Sequence, residues 1–259
     1  MKQNIKNFSK YRYLLSELIT KDIKLKYRRS YLGILWTLIE PLLTMIVLTM
    51  VFSGFRGNSD KTFPIYILTG RLLYSFFSNA TKAAMKSIRS NSQMIKKVYV
   101  PKYIYPLSTI LSKYIIFLIS LIVLAGVAIV LKIKPTIYML QAIVPLLILL
   151  VMVIGVGLIL ATMAVFFRDM EYLWDVILML IMYCSAIFYR PSMVIDGGFG
   201  WLLKLNPLYA VIVNFRNSII NGLPMDLSAL LYSVIFSVVS LVLGIWMFYK
   251  NQDKFILNI

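Results

Sequence analysis

The chain has 259 residues, of which 60% are hydrophobic and 14% are charged. This composition excludes an ordinary soluble globular domain and predicts a polytopic membrane protein. The formal net charge of +17 comes from 27 basic and 10 acidic residues. The basic residues cluster between apolar runs, as in membrane proteins, and no soluble basic face of the kind that binds nucleic acid is expected.

The first 30 residues are basic and contain apolar side chains at helical spacing, including Leu14, Leu15, Leu18 and Ile19. This pattern predicts an amphipathic helix over residues 1–30 that lies on the cytoplasmic membrane surface. A disordered basic tail is the alternative. The stretch lacks the apolar core of a cleaved signal peptide, so we expect the first span to direct insertion.

Six apolar stretches beyond residue 30 are candidates for transmembrane helices, and strand-like alternation is not apparent. The chain is therefore predicted to be an all-α protein with a six-span domain over residues 31–259 and both termini in the cytoplasm. The predicted spans are residues 31–53, 62–81, 107–131, 138–167, 173–189 and 227–249.

Two opposite charges fall in the middle of predicted spans, Glu40 in the first and Arg71 in the second. A charged side chain at the centre of a bilayer costs about 2.5 to 3.5 kcal/mol on insertion scales, so Glu40 is expected to face protein or water. We hypothesise that Glu40 pairs with Arg71 across neighbouring helices.

The predicted loop 82–106, called here the central basic loop, carries six basic residues and no acidic residue. Its charge indicates a cytoplasmic position. Charge alone also fits an anchor at anionic lipid headgroups, which is the alternative to a docking surface for another protein.

The segment 190–225 is the only long one predicted on the outer side. Its apolar sequence is interrupted by Asn206, Pro207 and Arg216. Broken apolar sequence of this kind is typical of short re-entrant helices, whose free backbone groups are satisfied by protein or water. A seventh span is the competing interpretation.

Catalytic signatures are missing from the sequence. It contains no histidine, one cysteine (Cys184) and no phosphate-binding glycine loop. We therefore expect neither an enzyme nor a metal site, and any energy for transport is expected to come from a partner.

Four segments in order resemble the permeases of ATP-binding-cassette exporters of the second type (ABC-2), in particular those that export O-antigen, capsule or wall teichoic acid. The first segment, residues 14–43, carries an Arg-x-x-x-Leu-Gly-x-x-Trp pattern from Arg28 to Trp36. The others are NSQMIKKVYVPKYIYPL (91–107), AVFFRDMEYL (164–173) and LNPLYAVIVNFRNSIING (205–222). The family position of Arg71 is more often apolar, and that of Glu40 varies among polar residues.

The resemblance implies a homodimer with two separate ATPase subunits, which would bind ATP and Mg²⁺, in a bacterial cytoplasmic membrane. It implies a pore for an undecaprenyl-diphosphate-linked glycan between the two membrane subunits, lined by the first and fifth spans. It also implies that a short coupling helix in the central basic loop contacts the ATPase, and that the Asn-Pro-Leu segment lies near the exit.

Three groups of candidate site residues follow. The ATPase contact is expected at Met94, Ile95, Lys96, Lys97, Val98 and Tyr99. Candidate pore-lining residues are Trp36, Glu40, Trp174, Tyr183 and Tyr189. The rings of the four aromatic residues also fit membrane-interface belts or helix packing. Candidates for contact with a lipid diphosphate or headgroup are Lys26, Arg28 and Arg29.

Other functions remain open on the sequence alone. An exporter of a drug or a simple lipid would share the same architecture. An ion-coupled carrier or a membrane scaffold is the alternative from a different class, although one mid-span carboxylate is little support for a carrier.

Overall fold

The computed structural model describes residues 11–28, 31–53, 61–98 and 100–258, without the side chains of Lys26 and Ser53. Within these ranges the regular structure is entirely helical. The helices are α1 Arg12–Tyr27, α2 Trp36–Ser53, α3 Phe63–Ser90, α4 Ser92–Lys97, α5 Ile104–Val130, α6 Ile143–Phe166, α7 Met170–Tyr183, α8 Pro191–Asp196, α9 Gly200–Leu205, α10 Pro207–Arg216, α11 Leu227–Asn251 and α12 Phe255–Asn258.

Four helical stretches of the described chain are long and apolar enough to cross a membrane. They are Gly33–Phe52, Ile104–Val130, Ile137–Phe166 and Leu227–Asn258. The prediction of an all-helical membrane protein is therefore confirmed at this level. The second and fifth predicted spans correspond to α3, which is long but rich in polar residues, and to α7, which has only 14 residues.

Helix α3 forms the centre of the bundle and packs against α2, α5, α6 and α7. It continues to Ser90, whereas the sequence predicted that the span would end at Thr81. The extension is helical because Ala84, Met85 and Ile88 are buried against neighbouring helices. The central basic loop is therefore shorter than predicted and begins at Asn91.

Helices α6 and α11 pack most closely, because glycine and serine line their contact. A side-chain carbon added at Gly155 of α6 would overlap the backbone at Ser240 and Leu241 of α11. On α11 the buried residues Ser233, Ser237, Ser240 and Gly244 recur at helical spacing. Small side chains on one face allow the two backbones to approach.

One end of the bundle, called here the basic end, brings together α1, α4, the last turns of α3 and α11, and α12. Its apolar core contains Leu18 of α1, Ile88 of α3, Ile95 of α4 and Phe255 of α12. The surface of this end carries basic side chains, among them Lys86, Lys97 and Lys254. Helix α1 thus packs on the bundle through its apolar side, consistent with the predicted amphipathic pattern.

The opposite end of the bundle contains the segment between α7 and α11. Helix α7 ends at Tyr183, six residues before the predicted end of the fifth span. The chain then passes through the short helices α8, α9 and α10 and a π-helical turn at Asn217–Asn221. The segment is therefore divided into short helices and does not form one continuous helix.

A polar cleft and the elements around it

A cleft of about 300 Å³ opens between α2, α3 and α5. Much of its lining is polar. The polar lining residues are Thr37, Glu40, Thr44, Arg71, Ser75, Asn79, Lys113 and Ser120, and the apolar ones include Phe76 and Phe117. We call this feature the polar cleft.

The polar cleft contains the two mid-span charges that the sequence singled out. Glu40 and Arg71 both line it, but none of the ion pairs among the described residues joins them. The hypothesis of a direct pair is therefore wrong for this conformation. The Arg71 guanidinium instead contacts the sulfur of Met182 at 3.9 Å, which places it beside α7.

The side chains of Glu40 and Asn79 are exposed in the single chain. An exposed carboxylate within an apolar membrane helix requires water or another protein surface beside it, because contact with lipid would be costly. The side of the protomer that bears the polar cleft therefore does not face lipid alone.

Two groups of α1 lie near the polar cleft. Burial raises the pKa of the Asp22 carboxyl, and the positive charges of Lys113 and Lys21 oppose this rise. Burial also raises the pKa of the Tyr27 hydroxyl, and the negative charge of Glu40 adds to it. Because these charges act across helices, α1 contributes to the electrostatic field at this end of the cleft.

Sequence reasoning missed several cleft residues, namely Thr37, Thr44, Ser75, Asn79 and Ser120. Their types are common in membrane helices as packing residues, so no single position gave a signal. Only the packing of α2, α3 and α5 brings these side chains to one place.

The candidate pore-lining residues divide into two groups. Trp36 and Tyr183 are exposed, at 42% and 57%, and Glu40 is exposed in the polar cleft. Trp174 does not have the exposure predicted for a pore-lining residue. It is only 8% exposed, and its indole nitrogen donates to the Thr81 hydroxyl at 3.0 Å. It stabilises the contact between α7 and α3, and in this conformation its ring is not available to a solute.

Tyr189 lies in the turn after α7, where it is half-buried. Its hydroxyl donates to the carbonyl of Tyr183, and its own carbonyl accepts from the hydroxyl of Tyr66. Tyr189 therefore binds the last residue of α7 and joins the turn after this helix to α3. Phe188 beside it stacks on Phe52 of α2, with 5.2 Å between ring centroids.

The outer candidates Asn206 and Arg216 are buried, at 8% and 4% exposure. The amide of Asn206 donates to the carbonyl of Cys184 at 3.0 Å and to the Ser185 hydroxyl at 2.8 Å. Its side-chain oxygen accepts from the backbone N–H of Leu208 at 3.0 Å, which caps α10, and Pro207 is the first residue of that helix. Arg216 donates to the carbonyl of Ala186 at 3.0 Å.

The buried side chains of Asn206 and Arg216 thus bind carbonyl groups of the turn that follows α7, which gives these groups hydrogen-bond partners. The sequence predicted breaks at these residues. It did not predict that their side chains would bind the end of α7.

The candidate ATPase-contacting residues lie on α4 and just after it, at the basic end. Ile95 is 7% exposed and packs into the core there, so it is not available to a partner in this conformation. Met94 is half-buried, whereas Lys96, Lys97 and Val98 are exposed. Tyr99 lies outside the described residues. The accessible part of this surface is thus smaller than the sequence suggested.

The candidate headgroup contacts adjoin the end of α1. Lys26 belongs to α1, but its side chain is outside the described part, as is the whole of Arg29. Arg28 follows α1 directly and is exposed. A basic residue at this position is accessible to an anionic headgroup.

The side chains that line the polar cleft are suited to binding a polar solute. Across the described ranges, no group of three or more His, Cys, Asp or Glu side chains is placed to hold a metal ion. The cleft offers a carboxylate, cationic groups, an amide, hydroxyls and aromatic rings. Such a set can exchange hydrogen bonds with a hydroxyl-rich solute.

The sequence of this chain is similar to a known transporter family and to several of its members. A family model described as ABC-2 type transporter matches residues 13–220. The chain is 28% identical over 245 residues to the O-antigen export system permease protein RfbA of Klebsiella pneumoniae, which covers 93% of both chains. It is 23% identical to the polysialic acid transport protein KpsM of Escherichia coli, over 91% of this chain and 92% of that one.

A third relative is the capsule polysaccharide export inner-membrane protein CtrC of Neisseria meningitidis serogroup B. It is 26% identical over 185 residues, which cover 69% of this chain and 68% of that protein.

Proposed function

Because the chain belongs to the ABC-2 type transporter family, we propose that it is the membrane subunit of an ATP-driven exporter that moves a lipid-linked polysaccharide across the bacterial cytoplasmic membrane. Its similarity to O-antigen and capsule export permeases supports this cargo class. The structural observation that carries the proposal is the polar cleft, in which Glu40 is exposed in the second turn of the apolar helix α2.

The polar cleft suits a glycan better than an apolar cargo. Sugar hydroxyls both donate and accept hydrogen bonds, and Glu40, Asn79 and Arg71 offer the matching acceptors and donors. Phe76 and Phe117 in the same lining offer apolar surface to the C–H faces of a sugar ring. A drug or simple lipid would leave most of these polar groups without partners.

A homodimer explains the exposed surfaces beside the cleft. Helix α2 exposes Trp36, Leu43 and Val47, and α7 exposes Val176 and Tyr183. A second copy facing this side would enclose a route between the two protomers and keep Glu40 away from lipid. In this arrangement α2 and α7 line the pore, with Trp36 and Tyr183 offering rings along it.

We propose that the chain crosses the membrane six times and that both termini lie in the cytoplasm. The core of the basic end supports this proposal, because it holds residues from the last turns of α3, α6 and α11 and from the first turn of α5. At 1.5 Å per residue, α3 is about 42 Å long and α7 about 21 Å, so α7 needs the turn after it to complete a crossing of about 30 Å. The basic end then lies in the cytoplasm, and α8, α9 and α10 form a re-entrant outer segment near the exit.

Energy would enter through two copies of a separate ATPase subunit, which bind ATP and Mg²⁺. We place their contact at the exposed surface of α4, formed by Lys96, Lys97 and Val98. For the cargo, an undecaprenyl-diphosphate carrier would meet the basic end first. Arg28, with Lys26 and Arg29 next to it in sequence, is suited to its phosphates.

The test is depletion of this protein in its host, followed by analysis of the surface glycans. We expect the loss of one polymer of the O-antigen, capsule or teichoic acid type, with its lipid-linked precursor retained in the cell. Re-expression of the wild-type chain restores the polymer. Unchanged surface glycans after depletion, or export that survives ATP depletion, would overturn the proposal.

A further inference from the structure

Helix α7 is held against the bundle by little apolar packing. Of its 14 residues, only Trp174 and Leu178 are buried. Side chains on its other sides, such as Tyr172, Val176 and Leu180, are more than half exposed. Its position in the protomer therefore depends on the polar contacts that it makes.

Those polar contacts join α7 to the antiparallel helix α3 along its length. The Tyr74 hydroxyl donates to the carbonyl of Leu178 at 3.0 Å. Nearer the basic end, the Trp174 indole nitrogen donates to the Thr81 hydroxyl at 3.0 Å. The two contacts advance in opposite directions along the two helices, as antiparallel packing requires.

At the basic end, ion pairs replace these hydrogen bonds. Lys82 Nζ lies 2.7 Å from Asp175 Oδ1, and Lys86 Nζ lies 3.0 Å from Glu171 Oε2. Arg89 Nη1 lies 3.7 Å from Glu171 Oε1. The three basic residues share one face of α3, and the two acidic residues are one turn apart on α7.

These ion pairs are partly exposed, and each contributes little to stability. The side chains of Lys82 and Asp175 are 41% and 58% exposed, and those of Arg89 and Glu171 are 26% and 31% exposed. Ion pairs in such positions are weak and break readily. This end of α7 is therefore held reversibly.

The other end of α7 is fixed differently. There the carbonyls of Cys184 and Ala186 accept hydrogen bonds from the buried side chains of Asn206 and Arg216. Buried hydrogen bonds of a charged group are costly to break, because the group would be left unsatisfied. One end of α7 is thus held by buried hydrogen bonds. The other end is held by partly exposed ion pairs, and we call it the releasable end.

The releasable end lies next to the helix that we assign to the ATPase contact. Asn91 ends α3 and also begins α4, and its side-chain amide donates to the carbonyl of Ser87 at 2.8 Å. A displacement of α4 therefore acts first on the last turns of α3, where Lys86 and Arg89 hold Glu171.

We propose that the ion pairs of Lys82, Lys86 and Arg89 with Asp175 and Glu171 are positioning contacts that transmit movement of α4 to α7. A shift of the last turns of α3 breaks or exchanges these pairs, and α7 moves about its fixed end. This inference rests on the proposed function, since it takes α4 as the site of ATPase contact and α7 as part of the pore wall.

A charge exchange in the complete transporter tests the inference. In Lys82→Asp and in Asp175→Lys the two positions carry like charges, and we expect the glycan exported per ATP hydrolysed to fall several-fold while ATP hydrolysis continues. The double variant restores opposite charges, and its export per ATP is expected to return to within about twofold of wild type. A double variant as defective as the single ones, or single variants that export normally, would overturn the inference.

Milder variants cover the case in which a charge reversal prevents folding. Glu171→Gln removes two pairs without introducing repulsion, and the same loss of export per ATP is expected at an unchanged unfolding temperature. Lys250→Gln serves as the matched control, because this exposed lysine at the basic end lies outside the α3–α7 contact. Loss of export only in proportion to lost protein would contradict a positioning role.

A measurement without cargo separates this inference from the proposed function. Spin labels at the exposed positions Ser90 and Tyr172 report the distance between α3 and α7 in the complex with its ATPase. We expect this distance to change when ATP binds. An unchanged distance would reject the inference even if glycan export is established, whereas a change without glycan export would reject only the cargo assignment.

Discussion

The guanidinium carbon of Arg216 lies 3.4 Å from the centroid of the Tyr66 ring. The same guanidinium donates to the carbonyls of Tyr66 and Ala186, both at 3.0 Å. One side chain from α10 therefore joins the start of α3 to the turn after α7. The arginine that interrupts an apolar segment of the sequence holds together three parts of the chain that are distant in sequence.

Replacement of Arg216 by leucine is expected to destabilise the protein by about 1 to 3 kcal/mol, because buried carbonyls lose their donor. The measurement is thermal unfolding in detergent. Lys204→Leu removes an exposed basic residue from the same outer segment and is the matched control. Gly70→Ala should have a similar effect to Arg216→Leu, since the added carbon would lie 2.6 Å from an Arg216 nitrogen. Equal stability of all three variants would contradict this role.

The close contact of α6 with α11 predicts strong sensitivity at Gly155 and Gly244. A side chain at either position meets backbone atoms of the facing helix, which cannot move aside as a flexible side chain would. We expect Gly155→Leu and Gly244→Leu to abolish accumulation of folded protein in the membrane. Gly126→Leu on α5 is the control, because no atom lies within 4 Å of the added carbon. Normal accumulation of the Gly155 variant would refute the packing.

Glu40→Gln tests the polar cleft. Loss of a hydrogen bond to a charged group is worth about 1.5 to 3 kcal/mol, which corresponds to roughly ten- to hundredfold weaker binding. We therefore expect glycan export to fall by about tenfold or more at unchanged protein abundance, measured as surface polymer per cell. Asp253→Asn makes the same chemical change at an exposed position of the basic end and should export normally. Full export by the Glu40 variant would remove the cleft from the transport route.

Helix α4 provides a test that separates stability from partner contact. Ile95→Ala empties a buried site, and such changes cost about 2 to 5 kcal/mol, so the unfolding temperature should fall with or without the ATPase. Lys97→Glu changes an exposed side chain and should leave the unfolding temperature unchanged while reducing co-purification of the ATPase. Lys254→Glu is the control at the same end. Retention of the ATPase by the Lys97 variant would move the contact elsewhere.

Asp226 gives a pH dependence whose sign is fixed by its contacts. The Ser228 hydroxyl donates to its carboxylate at 2.6 Å, and the Ser228 and Ala229 N–H groups also donate to it at the start of α11. These bonds lower the pKa of Asp226 in the folded protein. Its stabilising contribution is present above the unfolded-state pKa of about 3.9 and is lost as the pH falls through the lower folded-state pKa.

The matching experiment compares unfolding temperatures of wild type and Asp226→Asn between pH 7 and pH 3. Asparagine also caps helices, but it does not titrate in this range. We expect wild type to lose more stability than the variant on acidification. Parallel pH profiles of the two proteins would show that Asp226 does not contribute.

Several features of this protein could be predicted from residue order alone. Long apolar runs predicted the helices, because a bilayer-spanning chain must satisfy its backbone hydrogen bonds internally. The breaks at Asn206 and Pro207 predicted that the segment between α7 and α11 would form short helices. The motif at Arg28 to Trp36 and its three companions indicated the family before any contact was known.

Helix ends and side-chain partners were less predictable. The sequence ended the second span at Thr81 because Lys82 and Lys86 follow, yet α3 continues since Ala84 and Ile88 are buried on its other side. Trp174 was assigned to the pore for its aromatic ring, but it lies in the contact with α3. A ring in a membrane helix fits either environment, and only the neighbouring helix decides between them.

The sequence by itself determined that this chain is a helical membrane protein that resembles glycan-export permeases, because hydropathy and motif order are local properties that can be read along the chain. Tertiary structure alone decided that Glu40, Arg71 and Asn79 share one open cleft, that Ile95 is buried, and that Arg216 fixes the end of α7. These facts depend on which faces of distant helices meet. In a bundle of similar apolar helices, that choice is made by the packing of small side chains such as Gly155 and by buried polar contacts, and neither indicates in the sequence which two helices will meet.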